Sequence, residues 1–481
     1  MKTGTEDLFL STTEPLSTLR GRKVTVMGLG LFGGGKGVTE FLCRHGARVT
    51  VTDTKSPADL APVMAQVEEL PIRWVLSQHN ERDFLDADLV IPSPAVPRSH
   101  PLLDLCRRRG TPLETEMNLF FKHCRGKICA VTGSNGKTTT TSLIGAMARE
   151  RWPTLRVGGN LGLSLLPEVE SIAASEWVVL ELSSFQLEDL TGLPRRPDVA
   201  VITNLSPNHL DRHHTYKAYA DSKRAILSPS SPGAVAILNA EDAVVRTWAS
   251  QQRSTIFFGR TASVLPSASG VWVPEDSDNV FLSQQGQRTN LFNRRDLALP
   301  GQFNIMNAAA AAGAAYAMGV EPRRIAKAVR GFRAVEHRLE PVIKHAGVSY
   351  LNDSIATTPE STIAALEALG PNVVVICGGS SKGCSFHSLG QALSRRTRGV
   401  VLLGQTAETI RTAIPCRPGG PRVSMAGTLE DAVCRAREVA KSGDKIILSP
   451  ACPSYDMFVN FVERGDRFKK IARELPQKDP G

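Results

Sequence analysis

The chain has 481 residues, 42% hydrophobic and 22% charged, and its 57 basic against 47 acidic side chains leave a formal charge of +10. There is apolar material for several cores, which excludes a disordered chain, and the length predicts about three domains. The excess charge is spread, +1 over residues 1–126, +5 over 127–333 and +4 over 334–481, summing to +10. A spread excess fits solubility or a set of separate small-anion sites, and a nucleic-acid partner is not expected.

Lys23 to Met27 reads as a short buried strand. GLGLFGGGKG, a helical GVTEFLCRHG and a second strand ending at Asp53 complete a βαβ unit. Asp88 to Ile91 is a further strand leading into SPAVP. Near Gly126 the pattern restarts: KICAVTGSNGKTTTTSLIGAMA is strand, glycine loop and helix. WVVLELSSF, DVAVITNLS and GAVAILNAED are buried strands with polar ends. Residues 254–300 carry short strands and turn residues without a long helix, and predict an antiparallel flap. NIMNAAAAAGAAYAMGV and EPRRIAKAVRGF are helical. A third α/β piece begins near Ala334, with strands in VSYLND, NVVVICGG, GVVLLG and DKIILSP. The repeated βαβ spacing predicts parallel sheets wrapped by helices throughout, with chemistry at the carboxyl ends of strands.

Nine scattered cysteines without repeated CxxC spacing fit neither a disulfide scaffold nor a zinc site, and suit a reducing cytoplasm. No secretory signal is evident. The longest apolar run, residues 308–320, is shorter than the ~20 residues of a membrane span.

Gly28-Leu-Gly30-Leu-Phe-Gly33 follows a strand and precedes a helix, with Asp53 at the end of the next strand. The pattern suits the diphosphate of a nucleotide and does not distinguish NAD from a uridine diphosphate sugar. Thr132-Gly133-Ser134-Asn135-Gly136-Lys137-Thr138-Thr139 is the more specific loop. Its backbone N–H groups can cradle phosphates, Lys137 supplies charge, and the Thr138 hydroxyl can reach Mg²⁺. Val131 stands where a general P-loop has its first glycine.

TGSNGKTTT, GGN at 158–160, ELSSFQLE from Glu181, NLSPNHLDRH from Asn204, LPGQFNIMNAAAA, EHRLE, NDSIATTPEST, GGSSKG and LSPACPSYDMFVNFVERGDRF together resemble the Mur ligase family. These are ATP-dependent ligases that add amino acids to the cell-wall precursor. ELSSFQLE and the last motif look most like the D-glutamate-adding branch. The resemblance implies an α/β protein of three domains: a Rossmann-like domain over 1–126 for the UDP substrate, a P-loop ATPase-type domain over 127–333, and a dinucleotide-binding-like domain over 334–481 for the amino acid. It implies UDP-N-acetylmuramoyl-L-alanine and D-glutamate as substrates, ATP, two Mg²⁺ ions and a monomer.

Residue by residue, the resemblance implies that Gly133 to Thr139 hold ATP, with Lys137 at the β/γ-phosphates. Thr138, Glu181 and His209 become metal ligands, and Lys223, carbamylated by CO₂, becomes another. Catalysis rests on Lys137, Glu181, His209 and Lys223. Asn304, Asn307, Arg338 and Asp353 contact ATP. Leu31, Phe32, Asp53, Thr54 and the Ser93-Pro94 loop hold the UDP part, and Asn160 lies near metal and substrate carboxylate. Lys382, Thr357, Ser454 and Phe461 receive D-glutamate. Ile355, Asn208 and Ser385 depart from the family pattern, each by loss of a charge.

Other readings are a different Mur-type ligase, a folylpolyglutamate-type ligase, an NAD-dependent oxidoreductase built on GLGLFG, and a non-catalytic nucleotide-binding regulator. No DNPR-like motif of the diaminopimelate- or lysine-adding branch is present.

Overall fold

The structure is a computed structural model, and it describes residues 16–30, 33–160, 164–190, 193, 195–207, 210–228, 233–249, 254–260, 269–284, 286–299, 301–333, 336–381 and 385–475. Leu31, Phe32, His209 and Lys382 lie outside the described residues. The chain divides into two compact units, Met1–Leu297 with Ile305–Gly331, and Ala298–Asn304 with Phe332–Gly481. The first contains two sheets and the second contains one.

The first sheet holds β1 (Lys23–Met27), β2 (Arg48–Asp53), β3 (Ile72–Leu76) and β4 (Leu89–Pro92) in the order β3-β2-β1-β4, all parallel. Val24 and Val26 of β1 are almost wholly buried, as is Thr25 between them, because the strand is covered on both faces. Helix Gly34–Arg44 supplies Val38, Phe41 and Leu42 to one of those faces.

The second sheet holds β5 (Lys127–Thr132), β6 (Arg156–Gly159), β7 (Trp177–Glu181), β8 (Val199–Ile202), β9 (Val235–Asn239), β10 (Ser254–Gly259), β11 (Gly270–Trp272), β12 (Asn279–Gln284) and β13 (Gln287–Asn293). Its order is β13-β12-β11-β10-β9-β8-β5-β7-β6. The segment read as a separate antiparallel flap is instead the far half of this sheet. β10 and β11 continue it in parallel, and β12 runs antiparallel to both its neighbours, β11 and β13. The alanine run lies in helix Gln302–Ala317, where residues 308 to 312 are fully buried. An added Cβ on Gly313 would meet Ile237, Ile256 and Val271 at 3.4–3.6 Å. Small side chains here let the helix lie close on the sheet.

The third sheet holds β14 (Glu340–His345), β15 (Val348–Asn352), β16 (Val373–Cys377), β17 (Thr397–Leu403), β18 (Arg422–Ala426) and β19 (Lys445–Leu448), in the order β14-β15-β19-β16-β17-β18. β14 pairs antiparallel with β15, so the expectation of parallel sheets throughout is corrected here as well as in the second sheet. The other pairs are parallel.

In each sheet the chain reverses its direction of winding beside one central strand. Beside β1 the carboxyl ends open onto Gly28, Asp53 and Ser93; beside β5, onto Gly133, Glu181 and Thr203; beside β19, onto Asp353, Gly378 and Ser449. Such switch points are where open α/β sheets bind ligands. Among the described residues no helix is long and apolar enough to cross a membrane.

Candidate active site

The second glycine loop is braced from outside. Thr203 Oγ1 donates to the Asn135 carbonyl at 2.6 Å, Asn204 Oδ1 accepts from the Asn135 N–H at 2.9 Å, and Ser134 N–H donates to the Asn204 carbonyl at 2.9 Å. The Ser134 hydroxyl bonds Tyr219 at 2.8 Å and accepts from the Ser206 N–H at 2.8 Å, so this side chain is committed to the loop's support. Gly136 has φ 78°, and a Cβ there would fall 2.3 Å from Asn307 Oδ1. At Gly133 a Cβ would fall 1.9 Å from Thr203 Oγ1. Neither site admits a side chain. Helix Lys137–Arg149 begins without a side-chain cap, leaving its first N–H groups for an anion. Lys137 Nζ folds back over the loop, donating to the carbonyls of Gly133 and Ser134, each at 3.1 Å. Thr138 and Thr139 are buried at the helix start.

Glu181 ends β7 and is 2% exposed. Its Oε1 accepts from Asn160 Nδ2 at 2.9 Å, while its buried Oε2 has no hydrogen-bond partner among the described residues. A buried carboxylate oxygen left in this state is costly unless a cation or donor reaches it. Lys223 lies 1% exposed on helix Tyr216–Arg224. Its Nζ donates to the Gly133 carbonyl at 3.0 Å and stands 4.7 Å over the Tyr219 ring. Burial, and then the neighbouring charge of Lys137, hold the Lys223 amine well below the ordinary lysine value, while Glu181 pulls it back up. Burial also pushes the Tyr219 phenol up to about 12, so it stays a neutral donor. The structure thus brings Lys137, Thr138, Asn160, Glu181, Lys223 and Asn307 to one end of the second sheet. Among the described residues no group of three His, Cys, Asp or Glu side chains forms a metal cluster. The donor set that would suit a hard cation here is the free oxygen of Glu181 with hydroxyls.

At the first sheet's switch point, Asp53 Oδ2 accepts from the Gly30 N–H at 3.3 Å and Oδ1 from the Lys55 N–H at 3.0 Å. Thr54 is exposed beside it. A Cβ on Gly28 would meet that of Ser93 at 3.0 Å, so the Ser93-Pro94 turn closes over the glycine loop. Sequence reasoning passed over Glu116. This side chain is buried at the start of helix Gly34–Arg44, hydrogen-bonds Ser164, and is raised above the usual carboxylate range by burial. A Cβ on Gly34 would lie 2.8 Å from its Oε2.

In the second unit, His337 and Leu339 take positive φ angles of 60° and 43° on either side of Arg338. Asp353 Oδ1 accepts from the Leu339 N–H at 3.1 Å and Oδ2 from Ser449 at 2.7 Å. Burial pushes Asp353 up to about 7, against the pull of those bonds and of Arg338. Ser454 is buried, Thr357 half-buried, and the Phe461 carbonyl accepts from Ser354 at 2.7 Å. Asn304 is buried near the start of helix Gln302–Ala317. Arg464 was missed: a 2% exposed guanidinium bonded to the Ser354 hydroxyl and to the carbonyls of Ser354 and Cys452. Desolvation lowers it to about 10. It ties the NDSIATT and SPACPS turns together, and its place inside the last motif was the available signal.

Known proteins resemble this chain over most of its length. Three consecutive stretches match family models: Mur ligase MurD-like, N-terminal domain (22–114), Mur ligase middle domain (131–315) and Mur ligase, glutamate ligase domain (337–452). A UDP-N-acetylmuramoylalanine--D-glutamate ligase of Roseiflexus sp. (strain RS-1) is 42% identical over 464 residues, covering 95% of this chain and 99% of that one. This chain belongs to the Mur ligase family. A ligase of the same name from Pelotomaculum thermopropionicum is 39% identical over 94% of this chain and 98% of its own. Among solved structures, the UDP-N-acetylmuramate-alanine ligase of Thermotoga maritima matches with a TM-score of 0.60 at 19% identity, over 95% of this chain and all of that one. The MurF ligase of the same organism, in complex with ADP, matches with a TM-score of 0.54 at 17% identity, over 99% of this chain and 100% of its own. These likenesses carry the fold, a three-domain α/β architecture.

Proposed function

We propose that this chain is an ATP-dependent ligase that joins D-glutamate to UDP-N-acetylmuramoyl-L-alanine, forming a C–N bond in peptidoglycan precursor synthesis. The observation that carries the reading is the cluster at the end of β5 and β7. A phosphate loop closed over by Lys137 meets the free oxygen of Glu181 and the amine of Lys223, in a chain aligned with curated D-glutamate ligases over almost their whole length.

A carboxylate is a poor electrophile. The alanyl carboxylate attacks the γ-phosphorus of ATP, ADP leaves, and an acyl phosphate forms. The D-glutamate amine then attacks the acyl carbon, phosphate departs and the amine loses a proton. Both steps gather negative charge, which Lys137 and the N–H groups of residues 133–139 are placed to offset. Two Mg²⁺ ions, held by Thr138, Glu181, His209 and Lys223, would supply further neutralisation of the phosphates. Lys223 is suited to that role as a carbamate: its ammonium first loses a proton, the neutral amine adds to CO₂, an N–C bond forms and a second proton leaves, so that a cation that would repel the metal becomes an anion. Asn304, Asn307, Arg338 and Asp353 complete the ATP contacts. Leu31, Phe32, Asp53, Thr54, Ser93 and Asn160 take the UDP part, and Thr357, Lys382, Ser454 and Phe461 take D-glutamate. The division of labour places boundaries near residues 126 and 333, and the enzyme works as a cytoplasmic monomer.

The NAD reading loses ground on geometry. A dinucleotide site offers its acidic residue to the ribose, whereas Asp53 accepts from the Gly30 N–H of the loop through one oxygen and from the Lys55 N–H of its own turn through the other. The test is phosphate release from ATP, Mg²⁺ and UDP-N-acetylmuramoyl-L-alanine. Release should depend on D-glutamate; release dependent on L-lysine or diaminopimelate instead would overturn the assignment.

A further inference from the structure

The Ser93-Pro94 turn is held from two sides. On one side it packs on Gly28. On the other, Arg212 from the LDRH segment donates to the carbonyls of Pro94 at 2.5 Å and Val96 at 3.4 Å. The guanidinium carbon of Arg212 stands 4.1 Å over the ring of Phe185, from the ELSSFQLE segment. Phe185 stacks on His213 with centroids 5.5 Å apart and planes 18° from parallel. His213 is fixed in turn by Ser184 at 2.9 Å and Glu188 at 3.0 Å, and its ring meets Tyr219 edge-on at 5.3 Å. Tyr219 ends the column on the Ser134 hydroxyl of the phosphate loop. A second tie runs beside it, where Arg98 of the following turn pairs with Asp189 and with Glu188.

We propose that Arg212 is a positioning residue for the nucleotide-sugar substrate. It holds the Ser93–Val96 turn against the first glycine loop and connects that turn, through Phe185, His213 and Tyr219, to the loop that carries ATP. The inference rests on the functional reading above and adds to it a residue that touches neither substrate. The physical argument is one of geometry. Arginine alone among side chains can bond two carbonyls in a fork while lying flat on an aromatic ring. A turn held by backbone carbonyls is positioned whatever its own side chains are. Without the fork, the turn must be ordered at the moment of substrate binding, and the cost falls on affinity for that substrate.

The experiment measures binding and turnover separately. Arg212→Ala should raise the Kd for UDP-N-acetylmuramoyl-L-alanine, measured by calorimetry, about tenfold, the loss expected for charged hydrogen bonds. KM for that substrate should rise with it, KM for ATP should stay within about twofold, and thermal stability should change little. Arg212→Lys, which keeps the charge and loses the fork, should recover only part of the affinity. Phe185→Leu, which removes the stacking face, should give a smaller rise, about threefold. Unchanged substrate affinity in Arg212→Ala, or full recovery in Arg212→Lys, overturns the proposal. Equal rises in both KM values with a lowered melting temperature also overturn it, because the role is then structural. If the wild-type protein itself fails to bind the nucleotide-sugar, the functional reading falls, and this proposal with it.

Discussion

The two glycine loops of the first unit are nearly the same object built twice. Each leaves a parallel strand, turns through a glycine at φ 77° or 78°, and enters a helix that has no side-chain cap. What surrounds them differs. Around the second loop stand Lys137, the buried Lys223 and the half-partnered Glu181. Around the first stand two carboxyl groups, Asp53 on the Gly30 N–H and Glu116 beside Gly34. The backbone turn makes an anion site possible in both. Lysines face the second loop and carboxyl groups the first, a difference that favours the second for the concentrated charge of a triphosphate. A glycine pattern is therefore weak information until the residues facing it are known.

Substitutions can break or sharpen that contrast. The largest effect is expected at Lys137: Lys137→Met should lower kcat about 10³-fold with the fold intact, as loss of a charge-stabilising group does. A kcat within tenfold of wild type would remove the distinction between the loops. Lys223→Ala should cost about 10²-fold and recover in part when formate or acetate is added, because a small carboxylate can stand in for the proposed carbamate. Loss without rescue would count against the modification. Backbone strain gives a direct comparison of the loops. Gly136→Ala should destabilise by ~3 kcal/mol, since positive φ costs ~1–2 kcal/mol and Asn307 must also move. Gly30→Ala, at φ 63° with nothing among the described residues within 4 Å of the new methyl group, should cost only ~1 kcal/mol by urea denaturation. Equal losses would show that the bracing at Gly136 contributes nothing.

The smallest effect concerns Glu116, whose carboxyl is raised by burial in the folded protein. The folded state then holds the proton more tightly than the unfolded chain, so stability falls as pH rises from the ordinary carboxylate range toward the folded value. Glu116→Gln carries no such proton. Its melting temperature should gain on wild type by ~2 °C as pH is raised from 4 to 8. A constant difference across that range would show that folding does not shift the titration of Glu116.

Much of this molecule could be read before any coordinate was known, for reasons particular residues make plain. WVVLE is buried at every position, so its pattern announces a central strand and makes a carboxylate at its end conspicuous. TGSNGKT is recognisable because only glycine fits at 133 and 136. Of the strands that carry little signal, β6 has only four residues, and β3, β14 and β18 have no fully buried position, so their hydrophobic pattern is weak. The 254–300 segment was misassigned because turn residues between β10 and β13 resemble those of a detached hairpin; pairing of β10 with β9, remote in pattern, joins it to the sheet. Glu116, Tyr219, Arg212 and Arg464 act through partners tens of residues away, and spacing along the chain carries no record of them.

The burial of Lys223 has a consequence for the order of events in making this enzyme. A lysine in an unfolded chain is uncharged in only roughly one molecule in a few thousand at neutral pH, and CO₂ reacts only with that fraction. Each unit by which the folded pocket lowers the amine's pKa multiplies the reactive population tenfold. On the proposed carbamylation, CO₂ would add late, once the second sheet has closed around the buried side chain. Protein refolded in CO₂-free buffer should emerge correctly folded yet idle, and should wake over time as bicarbonate is supplied.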